Sequence, residues 1–118
     1  MGEVEYRDAS RGSLAVGVFH DAGDRVIRVG GELDLATVPT LEEELEAAIS
    51  GPSEQVVVDL SDLEFIDSTG IAVLVRAMVD GDGESRLRFV PSRAEAVSRV
   101  LDVTGVAERM ELAEGIAS

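Results

Sequence analysis

Val56-Val57-Val58-Asp59-Leu60-Ser61-Asp62-Leu63-Glu64-Phe65-Ile66-Asp67-Ser68-Thr69-Gly70-Ile71 carries the sharpest pattern in the chain. The unbroken β-branched run at its start implies burial on both faces, as in a central parallel strand, which we place at Gln55 to Leu60. Asp59 to Asp67 reads as a polar connection, and a helix follows from about Ser68 to Val79. Ile71, Val73, Leu74, Val75 and Met78 make that helix apolar almost all round, which predicts deep burial. Asp67 or Ser68 suits the N-cap, and Gly70 allows close packing. The same geometry serves a second purpose. A helix N-terminus offers unpaired N–H groups and a partial positive charge, so it can host a phosphate carried by its own hydroxyl. Such a modification leaves the helix intact and acts on partners.

Upstream of this stretch, Leu14 to Phe19 and Arg25 to Val29 read as strands joined by the turn Asp21-Ala22-Gly23-Asp24, a hairpin. Gly30-Gly31 breaks the strand pattern. Thr37 is placed to cap a helix, Pro39 suits its first turn, and Glu42, Glu43 and Glu44 favour its positive end. Leu41, Leu45, Ala48 and Ile49 form its apolar stripe, and Gly51-Pro52 ends it. Downstream, Gly81 and Gly83 stop the second helix. Arg86 to Val90 is a strand with Leu87 and Phe89 inward. Ser92-Arg93-Ala94-Glu95 has the form of a capping box, Val97, Val100 and Leu101 line a third helix, and Gly105 ends it. Val106 to Leu112 fits a short helix or a short strand. The order β-β-α-β-α-β-α predicts an α/β fold with a mixed sheet of four to five strands and helices packed on it. At this length, residues 1–118 make a single domain, with residues 1–11 as an edge strand or a poorly ordered N-terminus.

Composition narrows the function. The formal net charge is -14, from 24 acidic residues and 10 basic ones that are all arginine. Phosphate backbones and anionic lipid surfaces would repel such a chain, so nucleic acid and membrane are excluded as expected partners and a basic or cation-lined protein is favoured. There is no cysteine for a disulfide or a thiolate metal site, no apolar stretch of the roughly 20 residues that span a bilayer, and no signal-peptide pattern in Met1 to Arg11. A cytoplasmic protein is expected. His20 is the single histidine and reads as a surface residue. A P-loop would need a lysine. The acidic run Asp80-Gly81-Asp82-Gly83-Glu84 fails as a calcium loop, because Pro91 occupies the position of the bidentate glutamate. No nucleophile–base pair is found, so no enzyme, cofactor or metal is expected.

The segment ending Asp67-Ser68-Thr69-Gly70 resembles the phosphorylation loop of STAS domains, nearest to the bacterial anti-sigma factor antagonists of sporulation and general stress. Gly30 to Leu45, GGELDLATVPTLEEEL, is similar to the family's Gly-Glu-(Leu/Ile)-Asp segment. Arg99 to Val106, RVLDVTGV, is similar to its Leu-Phe-Asp-(hydrophobic)-(Thr/Ser)-Gly-Leu segment. One departure is Ala72, where better-known antagonists often have a second glycine. The resemblance implies that Ser68 is phosphorylated by an anti-sigma factor serine kinase using ATP. It also implies that Asp34, Asp67, Ser68, Thr69 and Gly70 form the partner-binding face, and that a PP2C-type phosphatase resets the switch. The unphosphorylated protein would capture the kinase and free the sigma factor, acting as a monomer or weak homodimer. Asp34, expected beside Ser68 at one sheet edge, is treated as a contact residue whose loss leaves stability nearly unchanged. Two further roles share the fold: a stressosome-type scaffold, and the soluble subunit of a lipid ABC transporter.

Overall fold

The computed structural model describes residues 5–8, 14–52, 55–80 and 87–113. Five strands form one sheet in the order β1 (Glu5–Asp8), β2 (Leu14–Asp21), β3 (Asp24–Leu33), β4 (Val56–Ile66), β5 (Leu87–Val90). β2 runs antiparallel to both β1 and β3, and β4 lies parallel to both β3 and β5. The helices are α1 (Val38–Ser50), α2 (Ser68–Asp80) and α3 (Glu95–Val103), followed by a single 3-10 turn at Ala107–Arg109. The fold is α/β with a mixed sheet, as expected. The N-terminal segment contributes an edge strand at Glu5–Asp8.

The valine run does form a central strand. Val56 and Val58 join the main core beside Leu60, Leu63, Leu41, Val73 and Leu74, while Val57 joins Val26 and Val90 in a smaller cluster on the other face of the sheet. All three helices pack on the first face, since their buried side chains fall in the one cluster. On the second face Asp59, only 2% exposed, accepts from Arg28 Nε at 3.3 Å and from the Ser61 N–H at 2.9 Å. The Arg28 guanidinium lies 5.1 Å from the centre of the Phe19 ring. A carboxylate buried this far needs such hydrogen-bond and ion-pair partners.

Four expectations are corrected. Asp59 to Ile66 is not a connection: β4 continues to Ile66, because Leu60, Leu63 and Ile66 keep pointing into the core. Gly30-Gly31 does not end β3 but lies within it, at shifts of the β3–β4 register. Gly31 has φ 93, and a Cβ on Gly30 would lie 3.2 Å from Asp62 Cβ, so glycine suits both the bulge and the close approach. The three glutamates follow the first turn of α1 instead of occupying it. Glu42 bonds Arg76 of α2 at 2.8 Å, and the buried Glu44 lies 4.0 Å from Arg25. Finally, α2 is buried on one side only. Gly70, Val73, Leu74 and Ala77 face inward, whereas Ser68, Ala72, Arg76 and Val79 are exposed.

The ends of the later elements are also settled. α3 starts at Glu95 with Ala94 at its N-cap, so Ser92 is not the cap of a capping box. Its hydroxyl instead donates to the Leu63 carbonyl at 2.7 Å and accepts from the Ala94 N–H at 2.9 Å, tying the start of α3 to β4. Val106 to Leu112 combines both alternatives: the 3-10 turn is followed by a parallel bridge of Leu112 to Phe89. His20 is exposed, and the acidic run from 81 to 84 lies outside the described residues.

The one-sided burial of α2 predicts unequal costs along it. Leu74→Ala, at a fully buried position, should lower stability by about 2–5 kcal/mol. Val79→Ala should stay within about 0.5 kcal/mol of the parent. Urea unfolding of the two variants checks this, and equal losses would contradict the orientation of the helix.

Candidate functional site

Parallel strands end at the same edge of a sheet, so the loops that follow β3 and β4 are neighbours. The Asp67 N–H donates to the Leu33 carbonyl at 3.1 Å and joins the two loops at their root. This places Asp34 and Ser68, each one or two residues beyond its strand, at one rim, as the strand order implied.

The β3–α1 loop is held by its own side chains. Asp34 Oδ1 accepts from the Ala36 N–H at 3.1 Å and from the Thr37 N–H at 3.2 Å. The buried Thr37 hydroxyl donates to the Glu32 carbonyl at 2.9 Å and accepts from the Asp34 N–H at the same distance. Thr37 holds the N-cap position of α1, yet its side chain makes no capping bond. Its expected capping role is therefore corrected: Asp34 takes up the orphan N–H groups and Thr37 fastens the loop to β3. The expectation that Asp34→Ala leaves stability nearly unchanged is corrected with it.

The β4–α2 loop is built on Asp67. Its Oδ1 accepts from the Thr69 N–H at 2.9 Å, the Gly70 N–H at 3.1 Å and the Thr69 hydroxyl at 2.5 Å. Asp67 is thus the N-cap of α2. Partial burial pushes its carboxyl up. The bonds from the Thr69 hydroxyl, the Gly70 and Thr69 N–H groups and the Leu35 N–H more than reverse this and hold it below the ordinary value of 3.8.

The two hydroxyls of the loop differ. That of Thr69 is engaged by Asp67 on a half-buried residue. Ser68, the first residue of α2, is exposed, and its hydroxyl has no hydrogen-bond partner among the described residues. Gly70 lies beneath them. A Cβ there would come within 2.8 Å of Ile66 Cγ1 and 2.9 Å of Leu33 Cγ, so glycine lets α2 start directly against the ends of β3 and β4. Gly70 is buried, which makes it a packing residue of the rim and not a contact surface. Leu35, which the sequence reading did not single out, is 73% exposed in the same rim. Nothing in the sequence distinguishes a loop leucine that faces water from one that faces the core. No group of three or more metal-ligating side chains occurs among the described residues.

Comparison with known proteins gives a consistent picture. A family model described as "Mlab, STAS domain" matches residues 16–114. An anti-sigma-B factor antagonist of Staphylococcus epidermidis is 33% identical over 89 residues, which are 75% of this chain and 82% of that one. The crystal structure of an anti-sigma factor antagonist from Mycobacterium paratuberculosis superposes with a TM-score of 0.79 at 29% identity, covering 88% of each chain. The anti-sigma factor antagonist SpoIIAA in its unphosphorylated form, at 20% identity and a TM-score of 0.67, shares the fold over 98% of this chain and 90% of its own.

Two measurements probe the rim. Asp34→Ala should lower stability by about 0.5–2 kcal/mol, the usual cost of a lost cap, read from the thermal midpoint. Asp67 has its folded value depressed, so its contribution is complete above the ordinary carboxylate range and is lost as pH falls through that folded value. Asp67→Asn should therefore be less stable than the parent at pH 7 and converge with it near pH 2. Parallel denaturation curves at the two pH values would show whether the gap closes.

Proposed function

This chain belongs to the STAS domain family, and on that footing we propose that it is an anti-sigma factor antagonist switched by phosphorylation of Ser68. Unphosphorylated, it captures an anti-sigma factor serine kinase and frees the sigma factor. The kinase then transfers phosphate from ATP to Ser68 and releases it, and a PP2C-type phosphatase restores the free form. The chain supplies no catalytic residue and no cofactor, and acts in the cytoplasm. Asp34, Asp67 and Thr69 shape the rim that the partner meets.

The observation that carries this reading is the exposed, unpartnered Ser68 hydroxyl at the N-terminus of α2, next to a threonine whose hydroxyl Asp67 already holds. The acceptor must swing toward the γ-phosphate and give up its proton. Ser68 is free to do so, while Thr69 would first have to break a charge-assisted bond. The names of the curated relatives support the regulatory class. The helix start favours a phosphate electrostatically, so the fold tolerates it. Across an interface the added dianion faces the nucleotide phosphates that the kinase site holds, and like charges there cost several kcal/mol.

The test is incubation with the histidine-kinase-like anti-sigma factors of the source cell and ATP, followed by peptide mapping and binding titration. We expect one phosphate, on Ser68. Ser68→Ala should bind the kinase and stay bound in the presence of ATP, and Ser68→Glu should bind at least about tenfold more weakly, with both variants folded. Phosphate mainly on Thr69, or equal affinities for parent, phosphoprotein and Ser68→Glu, would exclude this switch.

A further inference from the structure

Exposed leucines are common on protein surfaces, and most have no role. Leu35 differs in how its backbone is held. Asp34 Oδ1 binds the N–H groups of Ala36 and Thr37 on one side of it, the Asp34 N–H binds the Thr37 hydroxyl, and on the other side the Leu33 carbonyl accepts from the Asp67 N–H. A side chain on a loose loop can turn back onto the core. Here the loop is fixed from both flanks, and the isobutyl group stands in water, 73% exposed, beside the start of α2. Holding an apolar group in place before binding removes much of the ordering cost of association.

The surroundings indicate what it meets. The ionisable residues at the ends of β3 and β4 and in the loops that follow them, Glu32 and Asp34 on one and Glu64 and Asp67 on the other, are all acidic. Beyond Ser68, the outer side of α2 carries Ala72, Val75 and Val79 at spacings of four, three and four residues, a single helical face that is partly to fully exposed. The chain has no tryptophan and only four aromatic residues; of these Phe65, near the end of β4, is 47% exposed, and Leu35 at 73% is the more exposed large apolar side chain. We infer that Leu35 is the apolar anchor of the partner-binding face, and that it enters a pocket on the anti-sigma factor bordered by basic side chains. The inference rests on the function proposed above and adds a residue and a pocket chemistry to it.

The test uses whichever anti-sigma factor the parent protein captures, titrated with parent, Leu35→Ala, Leu35→Asp and Val103→Asp. Val103 is a matched control. It is 79% exposed, and it is the last residue of α3, outside the β3–α1 and β4–α2 loops. Leu35→Ala should weaken binding about 10- to 100-fold, the equivalent of one buried leucine, and Leu35→Asp further. Val103→Asp should change it by no more than about threefold. All four proteins should melt at nearly the same temperature, and raising the salt should weaken parent binding. If the parent binds and Leu35→Asp binds within threefold of it, Leu35 is not an anchor. Binding indifferent to salt would remove the basic border. Failure of the parent itself to bind any anti-sigma factor would overturn the underlying reading and this inference together, a different result from the selective failure of the variants.

Discussion

The parallel pairing of β3 with β4 is the constraint from which the rest of this structure follows. It sets two strand ends side by side, and the bond from the Asp67 N–H to the Leu33 carbonyl fixes them in register at 3.1 Å. Leu33 and Ile66 then form the floor against which α2 begins, and only a residue without a Cβ fits at position 70 above them. An antiparallel pair would have put these two ends at opposite edges of the sheet. Asp34 and Ser68, 34 positions apart in the chain, would not share a rim.

Much of this was legible in the residues, and where it was not there is a physical reason. Val56, Val57 and Val58 announced a strand with two buried faces because three β-branched residues in a row have no solvent side to offer. Asp59 and Ser61 hid the rest of the strand, since the partner that makes a buried Asp59 tolerable, Arg28, sits 31 residues earlier on the neighbouring strand. Pairing at that distance leaves no local trace. Gly30-Gly31 gave the correct signal of irregular backbone, but a bulge inside a strand and a break after one use the same residues. In α2 the apolar count was right and the inference from it was not. Ala72 and Val79 face outward, and composition alone cannot separate a buried helix from one whose outer face waits for a partner.

The rim shows the same division. Thr37, Asp67 and Gly70 were recognisable as cap or packing residues from their types and spacing, whereas Asp34 was read as a partner contact. The specific partnering, with Asp34 as cap and Thr37 as fastener, depends on loop geometry that the types do not encode. Leu35 was invisible because its exposure follows from how the loop around it is held, by Asp34 and Thr37, and residue type does not encode that.

The carboxylates at this rim therefore have a structural origin, with consequences for the proposed switch. Asp34 and Asp67 are present because two loops need oxygen acceptors for N–H groups that the strands and helices leave over. A phosphate on Ser68 would arrive beside charges the fold cannot remove. For the free protein, the N-terminal dipole and the unpaired N–H groups of α2 offset that repulsion, and the phosphate itself remains in water. A docked partner excludes the water and leaves the repulsion unscreened. The added phosphate, which an isolated domain tolerates beside these carboxylates, then opposes the complex. In this account, discrimination between bound and free forms needs no conformational change: it follows from building a partner-facing rim out of helix caps.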